Sequence, residues 1–148
     1  MISATAIPAT SERGSLRSPV AWGVVLGVLQ AASPLAFFSV DSATVYALGL
    51  AVIAAIYIGF AVAHGRRHVL VVETAVASAF VVVAAVGVTG TAWLIVAGLA
   101  GHGVKDMWQH RTGFVAGTRW WPPFCAAVDF VAAGLIAVAI TVGVPLLS

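Results

Sequence analysis

Five apolar segments of membrane-spanning length follow one another along this 148-residue chain. A helix needs about 20 predominantly apolar residues to cross the hydrocarbon core of a bilayer. Hydrophobic residues make up 61% of the chain and charged residues only 8%, whereas a soluble domain carries about 25% charged residues. Because the apolar segments are continuous rather than alternating, they exclude a β-barrel. The sequence therefore predicts an all-α integral membrane protein, with five transmembrane helices in a single bundle.

The predicted helices form one transmembrane domain, residues 19–148, which follows a disordered cytoplasmic tail over residues 1–18. The tail has no apolar stretch after a basic start, so it lacks the pattern of a signal peptide. Pro34 is expected to kink the first helix or to be absorbed by a neighbour. Pro122 and Pro123 are expected to open the fifth helix. The five helices are predicted over residues 19–40, 43–64, 68–88, 91–111 and 122–146.

Arginines flank the predicted helices on one side of the membrane only. They precede the first helix, separate the second helix from the third, and border the loop before the fifth: Arg13, Arg17, Arg66, Arg67, Arg111 and Arg119. The positive-inside rule places this side in the cytoplasm. The sequence thus predicts a multi-pass protein of the cell membrane, with its N-terminus inside and its C-terminus outside. These topology signals account for the net charge of +2 and the pI near 9.2, so no nucleic-acid partner is expected.

The fourth predicted helix ends in an unusually polar stretch, GLAGHGVKDMWQHRTG, over residues 98–113. At about 100° per residue, Val104, Met107 and Trp108 fall on one side of this helix, and the polar side chains fall on the other. The polar side chains are His102, Lys105, Asp106, Gln109 and His110. Ionisable residues in a membrane helix are costly, so they normally face the protein interior or water and by default suggest a functional site.

Two further carboxylates, Glu73 and Asp129, belong to the same half of the predicted bundle. At about 1.5 Å per residue, they and Asp106 lie roughly 6–10 Å inside their helix ends. Neighbouring helices pack roughly 8–10 Å apart, so these side chains are expected to converge. We predict that His102, Asp106, Glu73 and Asp129 carry acid–base catalysis. Asp106 would set the imidazole tautomer, and a buried carboxylic acid would hold a proton for donation.

A metal site is the alternative interpretation of the same side chains. Its ligands would come from His102, Asp106, Glu73, His64 and His110, although the chain lacks the Glu-x-x-His pairs of di-metal bundles. A haem held by histidines on separate helices is a weaker alternative. No cofactor is favoured. The chain has one cysteine, Cys125, which excludes an intrachain disulfide and a multi-cysteine metal cluster.

Polar and aromatic residues near these side chains are predicted to bind substrate. They are Tyr57, Gln30, Trp108, Trp120, Trp121, Lys105 and Gln109. Gln30 would form the deep polar end of the cavity, and Lys105 would neutralise a carboxylate. For the tryptophans the alternative is an aromatic belt at the membrane–water interface.

Gly23 and Gly27 have the GxxxG spacing that lets membrane helices approach closely. This spacing predicts either packing within the bundle or a homodimer. The other expected partners are membrane lipids and a lipophilic small molecule, because the apolar part of the bundle would hold a hydrocarbon chain.

Taken together, the residues favour a small membrane enzyme that performs acid–base chemistry, with or without a metal, on a lipophilic substrate. Isomerisation, cyclisation, hydration and epoxide opening all fit. The first alternative is a transporter or channel for a proton, a metal ion or a small solute, since ionisable residues in spans often mark such paths. The second is a haem or metal electron-transfer subunit. The transport alternative requires an oligomer, because five spans contain no inverted repeat.

Overall fold

A computed structural model describes residues 17–144 and contains five α-helices in that range. The predicted tail lies outside the described residues, apart from its last two positions, which begin the first helix. The helices are α1 (Arg17–Ala32), α2 (Ser42–His64), α3 (Arg67–Thr89), α4 (Ala92–Thr112) and α5 (Trp121–Thr141). The all-α fold class is therefore confirmed.

Four helical segments are long and apolar enough to cross a membrane, as expected of a multi-pass membrane protein. They are Ser18–Leu35, Ser42–His64, Arg67–Thr89 and Trp121–Thr141. The fourth helix, α4, has 21 residues, which is also a spanning length. Its composition is more polar because it carries Lys105, Asp106 and Arg111 in its second half.

Two of the predicted helix ends are wrong. The first helix stops at Ala32 rather than at residue 40, and a 3-10 turn follows over Ser33–Leu35. Pro34 has no backbone N–H and its ring disfavours a continuing α-helix, so the chain turns there. The fifth helix stops at Thr141 rather than at residue 146, and Gly143 follows with a φ of 82°. The remaining ends agree with the prediction to within one residue, apart from the start of α1 at Arg17.

The ends of α2 show how local chemistry fixes a helix. The carboxylate of Asp41 accepts a hydrogen bond from the backbone N–H of Thr44 at 2.8 Å, as an N-capping residue does. This bond lowers the pKa of Asp41 from its usual value. At the other end, Gly65 adopts a φ of 77°, a left-handed conformation that terminates helices and favours glycine.

The helices pack in an order that differs from their order in the chain. α5 lies between α1 and α4, while α2 packs mainly against α3 and also contacts α4. Gly23 and Gly27 lie directly against α5, where a Cβ added to Gly27 would come within 2.8 Å of the carbonyl oxygen of Val128. The GxxxG spacing therefore serves packing within the bundle. α1 makes little contact with α2.

One end of the bundle carries the exposed arginines Arg66, Arg67 and Arg119, and we call it the arginine end. The loop between α4 and α5 folds back over it, with Val115 buried against Tyr57 and its neighbours. The backbone N–H of Ala116 donates to Nδ1 of His64 at 2.7 Å. The loop thus packs Val115 and Phe114 against this end of the bundle.

The opposite half of the bundle has an apolar core built from α2, α3, α4 and α5. Small side chains alternate there with a few large ones, including Leu50, Ile95, Leu99 and Ile136. The polar residues of α4 lie between this core and the loop that covers the arginine end.

Candidate functional site

His102 lies between two carboxylates in the interior of the bundle. Its Nδ1 is 2.8 Å from Oδ2 of Asp129 on α5 and 3.4 Å from Oδ2 of Asp106, one turn along α4. All three residues are 0% exposed. We call His102, Asp106 and Asp129 the His–Asp cluster. Its members come together because α4 and α5 pack closely along their length.

Several polar atoms of the His–Asp cluster are buried without a hydrogen-bond partner among the described residues. They are Nε2 of His102, both carboxylate oxygens of Asp106, and Oδ1 of Asp129. Aromatic rings enclose the imidazole, with Phe80 at 5.0 Å and Tyr57 at 5.9 Å between ring centroids. Leaving a buried polar atom unpaired costs about 1–3 kcal/mol, so these atoms mark a place where a proton, a water molecule or a ligand would bind.

Glu73 forms a separate contact nearer the arginine end. Its Oε2 accepts from Nζ of Lys105 at 2.7 Å, and its Oε1 accepts from the amide of Gln109. Nζ of Lys105 also lies 3.3 Å from the centroid of the Tyr57 ring. Both oxygens of Glu73 are therefore engaged in joining α3 to α4. Lys105 neutralises a carboxylate, as expected, and that carboxylate is Glu73.

The charges of the buried side chains do not sum to zero when both aspartates and Glu73 are ionised and Lys105 is protonated. Lys105 neutralises Glu73, which leaves Asp106 and Asp129 with only the imidazole of His102. Even a protonated imidazole would leave one negative charge in excess. Each uncompensated buried charge is unfavourable, so the His–Asp cluster is expected to hold at least one bound proton or another positive charge.

The His–Asp cluster could also hold a metal ion, because one ligand atom from each residue lies within 4.8 Å of the others. Ligand atoms about 2.1 Å from a tetrahedral ion are roughly 3.4 Å apart. The contact between His102 and Asp106 has this separation, whereas His102 and Asp129 are at hydrogen-bond distance, 2.8 Å.

The ligand set predicted from the sequence is only partly brought together. His102 and Asp106 belong to the group that could hold an ion, together with Asp129. Glu73 does not, because it is bound to Lys105. His64 contacts the loop at Ala116, and His110 is exposed.

The predicted substrate-binding residues fall into three places. Tyr57, Lys105 and Gln109 lie in the polar interior beside the His–Asp cluster or Glu73. Trp108 and Trp120 are each 46% exposed, which fits the alternative of an aromatic belt. Gln30 and Trp121 line a separate cavity at the side of the bundle. The structure thus places Gln30 in this lateral cavity, and its role at the deep end of the polar interior stays a prediction.

That lateral cavity, which we call the α1–α2 groove, has a volume of about 480 Å³. It lies between α1 and α2 with α5 as its floor, and Leu26, Val52, Ile53 and Cys125 contribute to its lining. The sequence did not lead us to expect this groove. A signal that could have indicated it is the pair Gly23 and Gly27, which attaches α1 to α5 and leaves α1 apart from α2.

The fold and the site define this chain as a helical, membrane-type bundle with a buried cluster of His102, Asp106 and Asp129. No protein-family model, curated protein or solved structure matches it. Its function must therefore be inferred from the site.

Proposed function

We propose that this protein is a membrane-embedded enzyme whose His–Asp cluster transfers protons to and from a lipophilic substrate. The observation that carries the proposal is the 2.8 Å contact of His102 with Asp129 inside a cluster that has excess negative charge. Such a cluster must hold a transferable proton, and it has unpaired atoms that can donate or accept one.

Each residue of the cluster has a distinct role in this proposal. Asp129 accepts a hydrogen bond from Nδ1 of His102 and so leaves Nε2 as the basic nitrogen, the arrangement that carboxylates impose on catalytic histidines. Nε2 would remove a proton from the substrate. Asp106, whose oxygens are unpaired, would act as the general acid that donates a proton to the substrate. Isomerisation, cyclisation, hydration and epoxide opening all need an acid that donates a proton to the substrate. A base that accepts a proton returns the site to its starting state.

The surroundings of the cluster favour a lipophilic substrate. The arginine end is covered by the loop that buries Val115, while the opposite half of the bundle has an apolar core. The α1–α2 groove opens at the side of the bundle instead. A molecule dissolved in the bilayer can reach this side directly.

The apolar core of the opposite half argues against the transport alternative. Among the described residues, the buried charged and histidine side chains are Glu73, His102, Asp106 and Asp129. None of them continues a path into the opposite half. The haem alternative is likewise not favoured. Phe80 and Tyr57 pack against the imidazole of His102, and His64 is bound to the loop.

Isotope transfer from water tests the proposed function even while the substrate is unidentified. The purified protein would be incubated with a total lipid extract of the source cells in water enriched in both ²H and ¹⁸O. Mass spectrometry of the lipids would then identify the reaction. Isomerisation or cyclisation would add ²H at carbon, hydration would add both labels, and epoxide opening would add ¹⁸O.

His102→Gln and Asp106→Asn are expected to slow this label transfer about 10²–10⁴-fold, the usual contribution of an acid or base. His110→Gln is the matched control, because His110 is an exposed histidine on the same helix, and it should keep the wild-type rate. Equal labelling by wild type and both cluster variants, or no labelling by folded wild type, would contradict the proposed function.

A further inference from the structure

We infer that the α1–α2 groove binds the substrate as a single hydrocarbon chain that carries a hydrogen-bond-accepting oxygen at the Trp121 end. The chain would enter sideways from the bilayer. This inference rests on the proposed function and names the class of substrate for it.

The groove exists because α1 is attached to only one of its two neighbours. Gly23 and Gly27 bring α1 into backbone contact with α5, whereas the contact of α1 with α2 is slight. The turn that begins at Ser33 then carries the chain across to α2. Two helices thus form the walls and α5 forms the floor of a space that faces the lipid.

The lining of the groove fits a hydrocarbon chain. Its walls are mostly aliphatic, including Leu26, Val52 and Ile53, and its volume is about 480 Å³. This volume lies within the range of about 300–1,000 Å³ that is usual for ligand sites. Its lining residues on α2 extend from Val45 to Ile56, which corresponds to about 16 Å along a helix. The space is therefore elongated along the helices, as an extended chain requires.

Trp121 lines one end of the groove and carries a hydrogen-bond donor that has no acceptor among the described residues. Nε1 of Trp121 is buried and makes no hydrogen bond to the described residues. The Trp121 ring is held by Phe60 and Phe124, at 5.5 Å and 5.2 Å between centroids. A carbonyl, hydroxyl or epoxide oxygen of a bound chain would satisfy this N–H. An unmodified alkane would leave it unpaired.

This end of the groove is also the end nearest the His–Asp cluster. Cys125 lines the groove, and Asp129 lies one turn further along the same face of α5. The oxygen-bearing end of a bound chain would therefore lie against α5, about one helical turn from Asp129. The remainder of the chain would extend toward Gln30.

Photolabelling tests the inference directly. The protein in phospholipid nanodiscs would be irradiated with a long-chain alkyl ketone that carries a diazirine midway along its chain, and the labelled residues would be mapped by mass spectrometry. Labels are expected on groove-lining residues of α1, α2 and α5. An alkane probe of the same length, without the oxygen, should label the groove about three- to ten-fold less, because it cannot pair with Trp121.

Three variants sharpen the test. Ile53→Trp fills the groove and should reduce ketone labelling there at least about ten-fold, whereas Val82→Trp adds the same ring to an exposed site on α3 and should not. Trp121→Phe keeps an aromatic ring without the N–H and should abolish the preference for the ketone over the alkane.

Labelling spread evenly over lipid-facing residues, or labelling unaffected by Ile53→Trp, would overturn the inference. Equal labelling by both probes would overturn the assignment of an oxygen to the Trp121 end. Asp129→Asn separates this test from the proposed function, because it should stop isotope transfer but leave the groove labelled. If isotope transfer is absent in wild type while the groove is labelled, the proposed function fails and the binding site remains.

Discussion

At the scale of single residues, His102 shows why the site needed three-dimensional information. The sequence indicated its pairing with Asp106, since residues four apart share a helix face. The shorter contact, 2.8 Å, is to Asp129, which is 27 positions away in the chain. The sequence predicted only that Asp129 lies at a similar depth. Its contact with His102 depends on the rotation of α5 against α4, which no local pattern specifies.

For Glu73, too, the sequence indicated the position along the helix but not the residue that it contacts. The sequence placed it in the correct half of the bundle, but its partner is Lys105 rather than the imidazole. Since both of its oxygens are occupied, we assign Glu73 to the joining of α3 and α4.

Removing Lys105 should therefore destabilise the fold. Lys105→Met would leave Glu73, which is 1% exposed, without its counter-charge, and breaking a buried ion pair from one side costs about 3–5 kcal/mol. The free energy of unfolding measured by denaturant titration in detergent micelles should fall by about this amount. The double variant Lys105→Met with Glu73→Gln should recover most of the loss, because no unpaired charge remains. A double variant as unstable as the single one would contradict this account.

At the scale of elements, the helices were the best predicted part of the molecule, because composition and length decide them. The ends were less certain where proline and glycine act through local geometry. Pro34 ended the first α-helix instead of kinking it, and α5 stopped before Gly143. The position of α1 against α5 follows from small residues at the spacing that allows close approach.

Gly27 should thus be sensitive to any larger side chain. Gly27→Leu would place a side chain against Val128 and Val131 of α5, and such overpacking costs about 1–3 kcal/mol. The unfolding midpoint of this variant in detergent should be lowered. Gly59→Leu is the matched control, since nothing lies within 4 Å of an added Cβ there. It should be neutral or stabilising, because glycine is a poor helix former. Equal effects of both variants would show that α1 is not held by this contact.

At the scale of the whole molecule, the described arginines gather at one end. Arg66, Arg67 and Arg119 are exposed there, and the His64 contact with Ala116 joins the two loops of that end. The positive-inside rule predicts that this end faces the cytoplasm. Asp41 lies at the other end, where α2 begins.

Cysteine labelling should reveal this orientation. In a Cys125→Ala background, Ser39→Cys and Ala116→Cys introduce exposed thiols at opposite ends of the bundle. A membrane-impermeant maleimide added to intact cells should label Ser39→Cys alone, and Ala116→Cys should react only after the membrane is permeabilised. The reverse pattern would place the arginine end outside and would contradict the predicted topology.

The sequence by itself determined the all-α, membrane-type class of this protein, the five helices of residues 17–144 and the half of the bundle that holds the buried carboxylates and His102. These properties follow from the cost of placing charges and unpaired backbone groups in hydrocarbon, which is local and can be summed along the chain. Only the tertiary structure decided that His102 contacts Asp129, that Lys105 neutralises Glu73, and that α1 and α2 leave a groove between them. These features depend on which helices become neighbours and how each is rotated. Such choices are made by packing between elements distant in the chain, so no stretch of sequence contains them.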